Sequence, residues 1–408
     1  MPALIFRKGL NLKHEVAGAL AASYHSELVQ TIKAADYQFQ SGRLTVHLAR
    51  EFGFCYGVDR AVDYAYQARK RFPAQQVFLT GEIIHNPHVN DQLRAQGIRF
   101  LSDAGEQWDR LGAGDVVILP AFGVTIEELQ RLDRLGCTLV DTTCGSVLNV
   151  WKNVKRYAQE GFTSIIHGKH WHEETRATAS QAVHTSNGHY LVVLDKKEAA
   201  EVCAFITDSA GSAGSHDDAR AKADSRALLE NFRDATSPGF DPDQHLQRVG
   251  CANQTTMLST ESLEIGEMFR AAMRERHGEA ELASRFRAFD TICSATQDRQ
   301  DAVIKLLDEQ HLDLMIVIGG YNSSNTCNLA RICAGKVPTY HVADPEGIVS
   351  ATEIRHRDVA TKSELTGTGW LPGGPVVVGL TSGASTPDNL VEQVVRRLER
   401  FTTPSPIS

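Results

Sequence analysis

The 408-residue sequence predicts an α/β fold built from three comparable units. Short apolar runs alternate with stretches of helical periodicity along almost the whole chain, as expected for parallel strands joined by helices. The length exceeds what one ordinary hydrophobic core supports, so two or three domains are expected. A cysteine recurs three times at the same kind of strand-to-helix junction, which favours three units.

After an N-terminal segment of mixed helix and loop, the alternation begins with LTVHLA and the helix VDRAVDYAYQARKRF. That helix carries apolar residues at helical spacing, namely Val58, Ala61, Val62, Ala65 and Tyr66. Further buried strands are predicted in QQVFLTG, DVVILPA, CTLVDTT, TSIIHG, RVGCANQTT, LDLMIVIGG and GPVVVGLTSG. Ligands of such folds collect beyond the carboxyl ends of the strands, so the polar residues that follow these runs are the functional candidates.

The three cysteine junctions also predict the domain organisation. The predicted segments are an N-terminal extension, residues 1–43, and three α/β domains, residues 44–143, 144–290 and 291–402. A polar insertion rich in Gly, Ser and Asp occupies residues 207–250 of the second domain and contains one helix around Ala219–Arg233. We can assign no chemistry to this insertion.

Composition and charge exclude several classes of protein. The chain is 42% hydrophobic and 23% charged, as in a globular protein, and its net charge of −8 argues against a general nucleic-acid surface. No apolar run approaches the roughly 20 residues of a membrane helix. The first residues lack the features of a secretory signal. We therefore expect a cytoplasmic protein with neither a membrane nor a nucleic acid as partner.

Eight cysteines are present, but none forms a C-x-x-C pair, which excludes zinc ribbons and compact ferredoxin loops. Cys55, Cys144 and Cys293 each end an extended segment before an amphipathic helix, where unpaired N–H groups and the helix dipole favour a thiolate that can bind a metal. A single cysteine of this kind is more often a packed small hydrophobe. Three of them suit an iron–sulfur cluster with one open iron, or a three-cysteine zinc site with an open position. The remaining five are interpreted as ordinary packed thiols, namely Cys137, Cys203, Cys251, Cys327 and Cys333.

Polar residues follow the other strands. GEIIHNP places His85 before a helix start, and HEET supplies His172, Glu173 and Glu174, which are either a proton donor with its partners or a capped helix start. NQTT supplies Thr255. The helix starts in NSSN and SGAS are either phosphate cradles or simple N-caps. Since no P-loop or dinucleotide fingerprint is present, these motifs together suggest redox chemistry on a phosphorylated metabolite.

The ordered set FGFCYGVDRA, GEIIHNP, DTTC, HEET, NQTT, DTICSATQDRQ, GYNSSNT and TSGASTPD resembles the 4-hydroxy-3-methylbut-2-enyl diphosphate reductases of the IspH/LytB type over residues 44 to 400. The extension and the insertion resemble the longer branch of cyanobacteria and plastids, and a bacterial cytoplasmic form is expected. The resemblance implies three pseudo-threefold-related α/β domains around a central 4Fe–4S cluster. It further implies Cys55, Cys144 and Cys293 as the ligands, with one iron not ligated by protein.

The resemblance also implies the substrate site. Residues matching positions that hold the diphosphate or orient the substrate are His85, His172, Thr255, Ser323, Ser324, Asn325 and Ser385, and Thr296 matches a position near cluster and substrate. HEET keeps the family's His-x-Glu spacing, so Glu174 is the favoured proton donor and Glu173 the alternative. Many bacterial members carry a histidine where this chain has Phe122, so one diphosphate contact is absent or replaced.

The implied reaction is the reductive dehydroxylation of (E)-4-hydroxy-3-methylbut-2-enyl diphosphate to isopentenyl and dimethylallyl diphosphates. Because the sequence has no flavin or nicotinamide motif, a ferredoxin or flavodoxin is the expected electron donor. Two alternatives stay open: another three-cysteine enzyme such as the quinolinate synthase type, and a cluster-based redox sensor. Tyr56, next to Cys55, either packs or shapes the substrate cavity.

Overall fold

The computed structural model describes residues 4–103, 108–184, 188–211, 218–289 and 291–403. The chain separates into two compact units. The first unit comprises Met1–Ala121, Gly136–Thr142 and Ser294–Ser408, and the second comprises Phe122–Leu135 and Thr143–Cys293.

The strands, in chain order, are β1 Ile5–Phe6, β2 Gln38–Ser41, β3 Leu44–Leu48, β4 Val77–Leu79, β5 Ile98–Phe100, β6 Val116–Leu119, β7 Thr138–Asp141, β8 Thr163–His167, β9 Tyr190–Val193, β10 Val249–Asn253, β11 Phe286–Ala288, β12 Leu314–Ile318, β13 Thr339–Val342, β14 Glu353–Arg357, β15 Glu364–Thr368 and β16 Val376–Ser382.

The helices are α1 Lys13–Tyr24, α2 Glu27–Ala34, α3 Tyr56–Arg71, α4 Pro87–Ala95, α5 Ile126–Leu135, α6 Gly145–Gln159, α7 Glu173–Ala182, α8 Lys196–Gly211, α9 Asp218–Asn231, α10 Pro242–His245, α11 Ser259–His277, α12 Glu279–Arg285, α13 Ser294–Glu309, α14 Ser324–Ala334 and α15 Asp388–Thr402. Within the described residues, no helix is both long enough and apolar enough to cross a membrane.

The first unit contains two sheets. One has the order β1-β7-β6-β4-β5 with parallel pairs throughout, and the other has the order β15-β14-β13-β12-β16-β3-β2. The central strands of the second sheet, β13-β12-β16-β3, are parallel, and only the edges are antiparallel. Since β12, β16 and β3 run in the same direction, the segments that follow them emerge at the same edge of this sheet.

The second unit contains one sheet, with the order β11-β10-β8-β9 and parallel pairs throughout. Every residue of β8 and β10 is buried, which explains why their sequences read as continuous apolar runs. The apolar face of α3 is buried as its spacing predicted, including Val58, Ala61 and Ala65. The predicted α/β fold class is therefore confirmed.

The extension and the insertion contain more structure than their sequences indicated. In the extension, β1 pairs with β7 and β2 pairs with β3. These two strands were not predicted because segments of two to four residues are too short to show a periodic pattern in the sequence. The helix predicted around Ala219–Arg233 is α9, whereas residues 212–217 of the insertion lie outside the described residues. Val192 N–H donates to Ala235 O at 2.8 Å, so the insertion covers the exposed edge of β9.

Candidate active site

Cys55 occupies the N-cap of α3 in an extended conformation, with φ −81° and ψ 164°. Its N–H donates to Ala384 O at 3.1 Å, so the loop after β16 holds the turn that carries the thiol. Gly53 precedes it at φ +80°, and a Cβ there would lie 2.6 Å from Asp388 Oδ1, so this turn requires glycine. Arg299, which lies on α13, also supports the turn: its Nη2 donates a hydrogen bond to Gly53 O at 2.8 Å.

His85 and Ser385, which lie far apart in sequence, are joined in the first unit. His85 is buried, and its Nδ1 lies 2.7 Å from Glu82 Oε2, which orients the ring. Ser385 Oγ donates to His85 O at 3.3 Å, while Asn86 Nδ2 donates to Ser385 O at 2.7 Å. Asn86 is also the N-cap of α4, as the Asn-Pro pair suggested.

The segment NSSN forms the start of α14. Ser323 is the N-cap and accepts a hydrogen bond from Thr326 N–H at 3.3 Å, whereas Ser324 and Asn325 lie buried in the first turn. Asn325 Oδ1 accepts from Ala384 N–H at 2.9 Å, so the same loop contacts both Cys55 and Asn325. Asn325 Nδ2 is buried and has no hydrogen-bond partner among the described residues. A buried donor of this kind suits an anionic ligand.

His341 on β13 supports this helix start, although no sequence pattern drew attention to it. Its Nε2 lies 2.9 Å from Gly319 O, and its ring packs edge-on against Tyr321 at 5.0 Å between ring centroids. Burial lowers the pKa of His341 to about 4, so the ring is neutral and donates to Gly319 O. The next residue, Gly320, approaches His85 so closely that a Cβ would lie 2.5 Å from His85 O.

In the second unit, Glu174 is 1% exposed and contacts Thr255 twice. Its Oε1 accepts Thr255 N–H at 2.6 Å and its Oε2 accepts Thr255 Oγ1–H at 3.0 Å. Thr255 O in turn accepts Cys293 N–H at 3.3 Å. His172 is the N-cap of α7, and its Nδ1 accepts Glu174 N–H at 3.1 Å. Glu173 has a side chain that is 51% exposed, with Oε2 4.0 Å from His172 Nδ1.

Three buried polar residues fix this arrangement, and two of them, Asn253 and Thr291, were not predicted. Asn253 N–H donates to Thr291 Oγ1 at 2.9 Å, and Thr291 Oγ1 lies 2.6 Å from Asn253 Oδ1, which clasps the end of β10 to the segment before Cys293. Gln254 Oε1 accepts from Lys169 N–H at 3.2 Å, so it holds the loop before α7. A buried amide inside an apolar run was the available signal for Asn253.

Cys144 occupies the N-cap of α6 with φ −64° and ψ 144°, which matches the placement of Cys55 on α3. Phe122, at the position where many bacterial members of the resembled family carry histidine, contacts His172. The two rings meet edge-on, with centroids 5.6 Å apart. The position therefore packs against a candidate substrate residue instead of offering a second imidazole.

The cysteines differ in environment. Cys55, Cys144 and Cys293 are half-buried, and each directly precedes a helix. Burial raises the pKa of Cys203 and that of Cys333 to about 12, and it also raises the pKa values of Cys137 and Cys251. Those four thiols stay protonated at neutral pH and are poor metal ligands. Cys327 is half-buried and donates to Tyr321 O at 3.3 Å.

The predicted residues therefore divide between the units. The first unit holds Cys55, His85, Thr296, Ser323, Ser324, Asn325 and Ser385, and the second holds Cys144, His172, Glu173, Glu174, Thr255 and Cys293. Thr296 lies buried in the first turn of α13. Tyr56 is 83% exposed and therefore does not pack in the core. The first set consists mainly of neutral groups suited to binding an anion, and the second contains a buried acid suited to proton transfer.

Comparisons with known proteins agree on one family. A family model described as LytB protein matches residues 46–399. A 4-hydroxy-3-methylbut-2-enyl diphosphate reductase of Gloeobacter violaceus is 48% identical over 400 residues, which cover 96% of this chain and 91% of the relative. A protein of the same name from Synechococcus sp. strain CC9311 is 47% identical over 398 residues, which cover 96% of this chain and 94% of that relative.

Two solved structures are similar to the chain. One is (E)-4-hydroxy-3-methyl-but-2-enyl diphosphate reductase, described as the terminal enzyme of the non-mevalonate pathway, with a TM-score of 0.50 and 26% identity over 87% of this chain and 99% of that one. The other is the E-1-hydroxy-2-methyl-but-2-enyl-4-diphosphate reductase from Plasmodium falciparum, with a TM-score of 0.60, 20% identity and coverage of 88% of each chain. The second likeness shows the fold alone.

Proposed function

The chain belongs to the LytB protein family, and we propose on this basis that it reduces (E)-4-hydroxy-3-methylbut-2-enyl diphosphate to isopentenyl and dimethylallyl diphosphates. It is an oxidoreductase of the terminal step of the non-mevalonate route to isoprenoids. The alternatives, a quinolinate synthase type and a redox sensor, are not favoured, since relatives named as this reductase align with 96% of the chain.

The reaction needs a proton donor beside the substrate. Two electrons and two protons convert the allylic alcohol into an alkene and water, with one proton leaving in the water and the other ending on carbon. We assign the protonated carboxyl group of Glu174 as the donor, and the observation that carries this proposal is that this group is buried with both oxygens in contact with Thr255. Glu173 stays the alternative, but its side chain is 51% exposed, whereas Glu174 is buried.

The proposed cofactor is a 4Fe–4S cluster held by Cys55, Cys144 and Cys293, with one iron not ligated by protein. When bound, such a cluster supplies electrons and a Lewis-acidic iron. The thiols themselves support this assignment, because all three precede helices whose dipoles favour thiolates. By contrast, burial raises the pKa values of Cys137, Cys203, Cys251 and Cys333.

The diphosphate would be bound mainly by neutral donors. The residues we propose for binding or orienting the substrate are His85, His172, Thr255, Thr296, Ser323, Ser324, Asn325 and Ser385. Two observations support the assignment: Asn325 Nδ2 is buried and unpartnered among the described residues, and the segments with Ser323, Ser324, Asn325 and Ser385 follow the carboxyl ends of the adjacent parallel strands β12 and β16. Phe122 adds an aromatic contact to His172.

We further propose that the electrons come from a ferredoxin or a flavodoxin, because the sequence has no flavin or nicotinamide fingerprint. A cytoplasmic location is proposed from the bacterial relatives. Neither a membrane nor a nucleic acid is a proposed partner.

Turnover by anaerobically reconstituted protein tests the function. With a chemical reductant and (E)-4-hydroxy-3-methylbut-2-enyl diphosphate, we expect both five-carbon diphosphates as products and one water per two electrons consumed. Protein that contains iron and sulfide in the expected ratio but forms neither product would contradict the substrate assignment. Folded protein that takes up no iron would contradict the cofactor instead.

A further inference from the structure

Helix α6, which begins directly after Cys144, presents an exposed face with an unusual composition. We call this the α6 basic face, formed by Leu148, Asn149, Lys152, Lys155 and Arg156, all of which are exposed. The opposite side of the helix packs into the second unit through Val147, Val150 and Val154. Leu148 is 46% exposed, so an apolar side chain lies among the cations.

The charge of the α6 basic face is not balanced by its own helix, since α6 contains no acidic residue. Lys152 and Lys155 make no ion pair with any described residue. Arg156 donates to Asn153 Oδ1 at 3.1 Å, and its guanidinium lies 4.3 Å from the ring centroid of Phe289, which is 39% exposed. This local excess of positive charge stands on a chain whose net charge is −8.

The acidic residue that directly follows α6, Glu160, does not neutralise the positive charge of the α6 basic face. Glu160 follows the helix and is 43% exposed, and its carboxylate already faces Arg287 at 4.0 Å. The lysines lie one and two turns before it, so the surface next to Leu148 stays positive.

The other two cysteine-led helices lack such a face beside their cysteines. Helix α3 carries the exposed Asp59 in its first turn, and α13 carries the exposed Asp298 and Asp301 within its first eight residues. The three helices begin alike, but they differ in the charge that they present beside the cysteine. Charge complementarity therefore selects α6 as the approach for an acidic partner.

The α6 basic face is also close to Cys144 along the helix. At a rise of about 1.5 Å per residue, Leu148 lies roughly 6 Å and Lys152 roughly 12 Å along the axis from Cys144. A protein docked on this face would thus be near the thiol that we propose as a cluster ligand.

We propose that the α6 basic face is the docking surface for an acidic one-electron carrier protein of the ferredoxin class. This inference rests on the proposed function, because it requires Cys144 to hold a redox cofactor. Each docked carrier is oxidised by one electron, so two docking events supply the two electrons of one turnover. A small interface with an apolar centre and a charged rim is typical of transient redox partners, and Leu148 and the lysines provide these parts.

Charge reversal on α6 tests the proposal. In the Lys152→Glu/Lys155→Glu variant, we expect the Kd for a reduced acidic 2Fe–2S ferredoxin to rise about tenfold at low ionic strength. Added salt should weaken binding by the wild type and have less effect on the variant. Binding is measured calorimetrically, and turnover is measured with ferredoxin and, separately, with a small chemical reductant.

A matched control uses the last turn of α3, where Lys70→Glu/Arg71→Glu makes the same change in net charge. We expect this control to bind ferredoxin as the wild type does, and both variants to keep wild-type turnover with the chemical reductant. Equal loss of ferredoxin binding in both variants would overturn the proposal.

If the Lys152→Glu/Lys155→Glu variant does not fold, the milder Lys152→Gln/Lys155→Gln variant replaces it. We expect that variant to show a smaller loss of ferredoxin binding. Wild type that binds ferredoxin but shows no turnover with either reductant would contradict the proposed function and leave the docking surface standing.

Discussion

The strand ends of the first unit carry mainly neutral hydrogen-bonding groups, whereas those of the second unit carry a buried carboxylate. Asn325, Ser385 and the N-cap Ser323 offer hydroxyl and amide groups at helix starts. Glu174 instead lies against Thr255 with both carboxylate oxygens engaged. We infer that the first unit supplies most of the anion-binding groups and the second unit the proton donor, so substitutions of these groups in the two units should change different kinetic constants.

Replacing the acid of the second unit should have the largest effect. We expect Glu174→Gln to lower kcat by about 10²–10⁴-fold with little change in KM, because it removes proton donation and keeps the side-chain shape. The half-exposed neighbour gives the matched control, since Glu173→Gln should keep most of the activity. Steady-state kinetics with a chemical reductant measure both. The reverse result, with Glu173→Gln the inactive variant, would move the proton donor to Glu173.

Replacing the amide of the first unit should act on binding. Asn325→Ala removes the unpartnered Nδ2 and the acceptor of Ala384 N–H, and we expect KM to rise about tenfold or more while kcat changes little. Asn322 is exposed in the same loop, so Asn322→Ala is the control and should be nearly neutral. Inhibition by inorganic diphosphate should weaken in parallel with KM. An unchanged KM together with a lowered kcat would break the division between the units.

The sequence revealed the strand ends but not the groups that support them. The runs that form β8, β10 and β12 are buried along their whole length, so these strands could be predicted from the sequence. The polar motifs after them were readable because Ser, Asn and Glu at helix starts are informative residue types. His341 was not readable, since its role depends on Gly319, which only the pairing of β12 with β13 brings near. Likewise, the clasp between Asn253 and Thr291 joins residues 38 positions apart.

Acidification should expose the dependence of the first unit on His341. The pKa of His341 is about 4 in the folded chain and 6.5 in its unperturbed form, so the unfolded chain binds more protons between these values. The free energy of unfolding therefore falls as pH decreases through this range, by about 2 kcal/mol from pH 7 to pH 5 for this group. Urea unfolding of His341→Gln should show a smaller loss on acidification than the wild type. The same change at the exposed His14 is the matched control for the loss of one histidine.

The two units also differ in how they hold the turn before a cysteine, and this difference predicts the smallest effect. Cys55 is held by main-chain bonding to Ala384, which most substitutions leave intact, whereas the segment before Cys293 depends on the side chain of Thr291. Thr291→Val keeps the shape but leaves two buried groups of Asn253 without this partner, at a cost of about 1–2 kcal/mol in the free energy of unfolding. Thr291→Ser keeps the hydroxyl, so it should lower the free energy of unfolding by less than half of that amount. If the clasp also positions Cys293, reconstituted Thr291→Val should bind less iron than Thr291→Ser, and equal iron content would restrict the clasp to a structural role.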